Sequence, residues 1–195
     1  MSEAERDSWN QKYQQGSHGS LETDVFFLRA WEEYVQPLFP SGGEALDVAG
    51  GVGRHSLWLA ERGWRVTLVD ISEVALVKAR EGAARRGVTI ETAAHDLEKW
   101  QPSAGSYDLV LVFFYLQREV LPSLMATLRP GGLLIYKTYT EEQKRFPGGP
   151  SHPMHLLKPN ELLHACGDMQ VLHYRETVKE RGVAEFVGRK WSPGH

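Results

Sequence analysis

Glu44–Asp70 reads EALDVAGGVGRHSLWLAERGWRVTLVD. An apolar run carries Asp47 near its end, and Gly50, Gly51 and Gly53 follow it. The next stretch keeps helical character until Gly63, where a glycine stops it. A second apolar run, with Val66, Leu68 and Val69, closes on Asp70. The spacing predicts a strand at about 44–49, a helix from about Gly53 to Arg62, and a strand over Trp64–Asp70. That is one βαβ unit with a nucleotide-sized hollow at its strand ends.

The same rhythm continues outward in both directions. Residues 5–15 and 24–37 read as helices ahead of the first strand. Ser72 caps a long helix that ends at Gly87, with Arg85 and Arg86 in its last turn, where the dipole favours cations. Strands follow at Val88–Ala93 and at Asp108–Phe114, the latter DLVLVFF and almost wholly apolar, as for a strand buried on both faces. Leu121, Leu124, Met125 and Leu128 recur at helical spacing. Arg129-Pro130-Gly131-Gly132 ends that helix before a strand at Leu133–Tyr139. Residues 140–158 form a long polar connection, which in a compact domain usually signals function or disorder. A short helix, Pro159–Cys166, then leads to strands at about 169–177 and 183–190. A short turn joins those two, so they form a hairpin and one of them must run antiparallel. The expected architecture is α/β: a doubly wound, mostly parallel seven-stranded sheet with an antiparallel C-terminal hairpin edge. Residues 1–195 read as a single domain, with 1–40 as a helical lid and 41–195 as the core.

Composition bounds the function. The 195 residues are 42% hydrophobic and 24% charged, with net charge −3, so no bulk basic field recruits nucleic acid or an anionic membrane. The opening MSEAERDSWN lacks the apolar run of a signal peptide, and no segment has the ~18 apolar residues that span a bilayer. Cys166 is the one cysteine, which excludes an internal disulfide framework and a cysteine zinc site. A cytoplasmic protein, monomer or homodimer, is the expectation.

The glycine turn discriminates between cofactors. A dinucleotide fingerprint wants Gly-x-Gly-x-x-Gly, but Ser56 stands at the third glycine. What remains is Asp47-x-Ala49-x-Gly51-x-Gly53: an acidic residue followed by small ones that let a ligand lie on the backbone. A carboxylate beside the ligand would repel a pyrophosphate and attract a cation. S-adenosylmethionine, with its ammonium and sulfonium, is such a ligand.

This unit resembles motif I of the class I S-adenosylmethionine-dependent methyltransferases, Asp-x-Gly-x-Gly-x-Gly, with Ala49 in place of the first glycine. The resemblance implies a Rossmann-like methyltransferase fold and a cofactor site. In that site Asp70, followed by Ile71, takes the ribose hydroxyls. His95-Asp96-Leu97 holds the adenine, and the carbonyl of Phe113 or Phe114 meets the methionine ammonium. Gly50, Gly51 and Gly53 line the turn, and Arg54 contacts the cofactor carboxylate or bridges Asp70. Trp9-Asn10-x-x-Tyr13 and Gly51-Val52-Gly53-Arg54-His55-Ser56 resemble the tellurite-resistance (TehB-like) small-molecule group. So do Leu156–Leu162 and Phe186–Lys190. This places Trp9 and Tyr13 over the cofactor.

The acceptor is read by elimination. No Asn/Asp-Pro-Pro-aromatic motif follows the fourth strand, as base amino-methylation in this superfamily uses, and Cys166 is misplaced for carbon-5 cytosine chemistry. No added RNA-binding domain is expected. A small molecule that is already a good nucleophile remains, and with it in-line displacement governed by positioning and desolvation. The TehB-like resemblance implies tellurite or selenite; a thiol, halide or carboxylate metabolite is the alternative. Candidate acceptor-site residues are Tyr115, Tyr139, Arg145 and His152, with Tyr13 and His155 beside them. His152 and His155 lack a third ligand, so no metal site is expected. A nicotinamide-dependent reductase and a non-enzymatic cofactor-binding module are the competing classes.

Overall fold

The computed structural model describes residues 3–100 and 102–192. Seven strands run in the order β3-β2-β1-β4-β5-β7-β6, with helices between them; the mostly parallel seven-stranded sheet with an antiparallel C-terminal hairpin is the one the sequence predicts. The chain divides into two compact units, Met1–Pro102 and Ser103–His195.

In the first unit, β1 (Glu44–Val48), β2 (Arg65–Asp70) and β3 (Glu91–Ala94) pair in parallel, Asp47 opposite Leu68 and Asp70 opposite Ala94. Leu46, Leu57, Leu59, Leu68 and Leu76 are fully buried between the strands and their helices. Helix α1 is Glu3–Gln14. Helix α2, Val25–Ala30, is capped by the Asp24 side chain and runs on through a wide turn, Trp31–Val35, into α3, Gln36–Leu38. The single helix expected over 24–37 is thus interrupted by a π-type segment. Helix α4 (Arg54–Ala60) joins β1 to β2, and α5 (Glu73–Arg86) joins β2 to β3. Strand β3 starts three residues later than the sequence suggests. The reason is the helix C-cap: left-handed Gly87 turns the chain so that Val88 N–H bonds to Ala83 O at 3.1 Å, which holds Val88 in the cap.

In the second unit, β4 (Tyr107–Phe113) pairs in parallel with β5 (Leu128–Tyr139), which pairs antiparallel with β7 (Gly182–Arg189); β6 (Gln170–Val178) pairs antiparallel with β7. Leu109, Leu111, Leu133, Ile135 and Phe186 are completely buried there. Helix α6, Leu121–Thr127, stops before Leu128, which is extended and begins β5. Leu128 therefore serves the strand and not the helical stripe, and Thr127 Oγ1 instead donates to Leu124 O at 2.7 Å.

The 140–158 connection is tied at both ends. Leu157 N–H bonds to Tyr139 O and Glu141 N–H to Leu157 O, each at 2.9 Å. Between them lie two short 3₁₀ turns, Glu141–Arg145 and Pro153–His155. Gln143, 2% exposed, donates to Gly148 O and accepts from Gly182 N–H, which holds the loop to the β6–β7 turn. Arg118 donates to Met154 O, to Leu156 O and to Glu161, the first residue of α7 (Glu161–Ala165). These bonds hold the second turn and the start of α7 in one place.

Candidate functional site

The cofactor candidates of the first unit converge on the carboxyl ends of β1 and β2. Asp47 is 1% exposed, and its Oδ2 accepts from Ser56 Oγ at 2.7 Å. Burial pushes its pKa from 3.8 up to about 6, against the lowering effects of Ser56 and Arg54. Its carboxyl lies under the turn, so close to Gly50 that a Cβ there would stand 2.6 Å from Asp47 Cγ and 2.3 Å from Leu68 Cδ1. Ser56, which the sequence offered only as a missing glycine, is thus the partner of the motif's acidic residue. Ala49 takes a left-handed conformation, φ 52°. Such backbone costs a non-glycine residue roughly 1–2 kcal/mol. The turn therefore imposes the geometry that the usual glycine would adopt without strain.

Asp70 sits 6% exposed at the end of β2. Its Oδ2 accepts from Gly51 N–H and its Oδ1 from Ser72 N–H, both at 2.9 Å, while its carbonyl accepts from His95 N–H at 3.1 Å. Burial raises its pKa and the backbone N–H groups of Ser72 and Gly51 oppose that. Each carboxylate oxygen has two lone pairs, so the backbone N–H groups of Gly51, Ser72 and Ile71 still leave it acceptor capacity toward a ligand hydroxyl. Ile71 is half-buried beside it. After β3, Asp96 Oδ1 accepts from Glu98 N–H at 3.1 Å and Leu97 is buried; the His95 and Trp100 rings stack at 5.8 Å.

Helix α1 lies across this turn. Tyr13 is 7% exposed, and its hydroxyl is so near Gly51 that a Cβ there would meet Tyr13 Oη at 2.4 Å. Gly51 also has φ 59°; both facts require glycine. Tyr13 packs with Val52 and Ala75, and Trp9 joins the same cluster. Burial raises the Tyr13 pKa, with Asp70 adding to the shift, so its hydroxyl stays protonated and can donate. Asn10 Oδ1 accepts from Ser72 Oγ at 2.7 Å, and Lys78 Nζ bonds to Tyr13 O. Asn10 thus fastens α1 to the cap of α5, a role the sequence did not suggest. Gly53 caps α4 and Arg54 opens it, near enough to Asp47 and Tyr13 for its charge to oppose the rise in both pKa values.

In the second unit the acceptor candidates separate. Phe113 ends β4, 8% exposed, and Phe114 follows in a left-handed conformation, φ 58°. The Tyr139 ring packs 4.9 Å from the Phe114 ring. Tyr115 O accepts from Tyr136 Oη at 2.7 Å. Arg145 is exposed and paired with Glu142 at 2.7 Å. His152 is also exposed, its Nδ1 accepting from Met154 N–H and its ring 6.2 Å from that of His155. Among the described residues no three His, Cys, Asp or Glu side chains are grouped to hold a metal ion. The sequence reading missed Lys137 and Glu185, which pair at 3.2 Å. The signal was there: a lone acid in the apolar run of β7 and a lone base in that of β5.

The arrangement in the first unit can hold a hydroxyl pair on Asp70 and a cationic group over Asp47, with aromatic cover from α1. Residues 45–132 match the methyltransferase domain family. The chain resembles the class I methyltransferases in that match and in its fold. It is 28% identical over 152 residues to the tRNA 5-carboxymethoxyuridine methyltransferase of Escherichia coli, covering 71% of this chain and 58% of that protein. It therefore spans little more than half the length of that curated relative. Its fold matches TehB from Haemophilus influenzae, with TM-score 0.72 and 21% identity, over 93% of this chain and 67% of that one. It also matches the N-methyltransferase NodS from Bradyrhizobium japonicum, solved with S-adenosyl-L-homocysteine. There the TM-score is 0.65 at 17% identity, over 87% and 90% of the two chains. The methyltransferase family match and the curated relative support S-adenosylmethionine as the cofactor.

Proposed function

We propose that this chain transfers a methyl group from S-adenosylmethionine to a small nucleophilic acceptor. The observation that carries the reading is Asp70, nearly buried at the strand end and fixed through both oxygens by Gly51 and Ser72 N–H groups. Bound there, the cofactor would supply a methyl group on a sulfonium, open to in-line displacement. Asp70 accepts from the ribose hydroxyls. Asp47 provides negative charge beneath the turn for the ammonium, and so favours binding as it ionises above about pH 6. Tyr13 and Trp9 cover the turn from α1 and exclude water, which strengthens those interactions. Asp96 and Leu97 hold the adenine.

The acceptor belongs to the second unit, where Tyr139 and Phe114 offer an aromatic wall. A chalcogen oxyanion such as tellurite or selenite, or a thiol, halide or carboxylate metabolite, fits an enzyme with no dedicated base. Such acceptors need placement more than proton removal. The Escherichia coli relative's name points to RNA instead; a net charge of −3 opposes that reading for this chain, because phosphate contacts demand basic surface. A cytoplasmic location accords with the described helices, none of which is long and apolar enough to cross a membrane. Calorimetric titration with S-adenosylhomocysteine tests the cofactor, and absence of saturable binding refutes it. Product release against tellurite, selenite, thiols, halides, carboxylic acids and tRNA then ranks the acceptors; turnover with tRNA alone would replace the small-molecule reading.

A further inference from the structure

Helix α1 covers the glycine turn with little to hold it there. Tyr13 is its one buried residue, Trp9 and Asn10 are half-buried, and the rest are exposed. Few buried contacts and a water-facing backbone mark a segment of low local stability. The connection that follows is exposed through residues 14–22 and has no regular structure over 19–24. Gly16 and His18 take left-handed conformations there, φ 80° and 60°. Hinges are loop or element-terminal residues of this kind, which absorb large changes in φ and ψ.

Three contacts fasten the helix. Asn10 Oδ1 accepts from Ser72 Oγ at 2.7 Å and from Val74 N–H at 3.4 Å, at the start of α5. Lys78 Nζ donates to Tyr13 O near the other end of α1. Between them, Tyr13 packs with Val52 and Ala75, and Trp9 and Val74 lie against the same cluster. Ser72 also donates its N–H to Asp70 Oδ1 at 2.9 Å. One residue thus joins the helix to the carboxylate assigned to the ribose. That carboxylate belongs to a residue only 6% exposed. Tyr13 Oη stands over Gly51, whose N–H bonds the other carboxylate oxygen. Two ligand hydroxyls reach so covered a group only if part of the cover moves. β1 and β2 are locked in the sheet, whereas α1 is held by the side-chain contacts above.

We propose that α1 is a lid over the Asp70 turn, that Asn10 is its latch, and that opening of the lid gates both entry and exit of the cofactor. The proposal rests on the methyltransferase reading and adds how that site is reached. Asn10 is a positioning residue, acting through Ser72 and Tyr13. A latch that closes the lid with and without ligand makes no difference between the two states. It therefore sets the rates and leaves affinity nearly unchanged.

Asn10→Ala removes the latch and keeps the helix, because alanine is the better helix former. A purely local effect would slow amide exchange over residues 4–15 of the ligand-free full chain. Loss of the latch should instead speed it about fivefold, the worth of one neutral hydrogen bond, with β1 and β2 unchanged. Stopped-flow mixing with S-adenosylhomocysteine should show association and dissociation rates both rising about fivefold, and Kd moving less than about twofold. Asn10→Asp keeps an acceptor oxygen at the same reach and should hold both rates within about twofold of the wild type. Lys78→Met removes the second polar fastening and should speed exchange and both rates in the same way. A rise in dissociation alone, with Kd following it, would make Asn10 part of the ligand site and overturn the gate. Unchanged exchange or unchanged rates in Asn10→Ala, with S-adenosylhomocysteine still bound, would overturn the proposal alone. Failure of the wild type to bind S-adenosylhomocysteine would remove the methyltransferase reading, and the gate with it.

Discussion

Asp47→Asn isolates the cost of burying the motif's carboxyl. Asp47 is 1% exposed and its pKa rises from 3.8 to about 6, chiefly by desolvation. Two pKa units correspond to about 3 kcal/mol. The sign follows from proton binding. Between those two values the native state holds a proton that the unfolded chain has released, so stability falls as pH rises. The favourable contribution is complete below pH 3.8 and gone once pH passes about 6. Asn cannot ionise, yet its oxygen still accepts from Ser56 Oγ. The variant should therefore gain about 2–3 kcal/mol on the wild type between roughly pH 4 and pH 8. Urea denaturation across that range measures the difference. A gap that changes by less than about 0.5 kcal/mol, within ordinary extrapolation error, would refute the account of a desolvated carboxyl. The same variant should bind S-adenosylmethionine more weakly, because the ammonium loses its anion. Calorimetry near pH 6 in buffers of different ionisation heat should show proton release on binding by the wild type and none by the variant.

Asp70→Ala removes the acceptor for Gly51 and Ser72 N–H groups as well as for the ribose; titration should show S-adenosylhomocysteine affinity falling about thirtyfold or more. Gly51→Ala places a Cβ 2.4 Å from Tyr13 Oη at φ 59°. Thermal unfolding should show a loss of roughly 1–2 kcal/mol, partly recovered when Tyr13→Phe is added, and no recovery would mean that backbone strain alone is at work. Arg118→Ala cuts the bonds to Met154, Leu156 and Glu161. Amide exchange over residues 153–162 should accelerate while that of β4 and β5 stays unchanged.

Local chemistry settled much of this protein. The alternation of apolar runs with capped helical stretches determines which segments are strands, which are helices, and that the sheet is mostly parallel. The Asp47–Asp70 spacing announces a ligand turn because only small residues let a ligand approach the backbone. The C-terminal hairpin requires an antiparallel edge, since a short turn cannot join parallel strands. Those are short-range constraints, and a chain states them residue by residue. Boundaries were less legible where a cap or a register pairing extended an element, as at Val88 and Leu128. The decisions that fell to tertiary structure all involve partners distant in sequence. Ser56 is the hydrogen-bond partner of Asp47, Asn10 fastens a helix to a cap 62 positions away, and Gln143 ties the long loop to Gly182. Lys137 and Glu185, 48 positions apart by number, meet only because two strands pair antiparallel in one register. No local preference encodes such a meeting. It exists because burying the apolar faces of β5 and β7 fixes which polar residues must stand opposite each other.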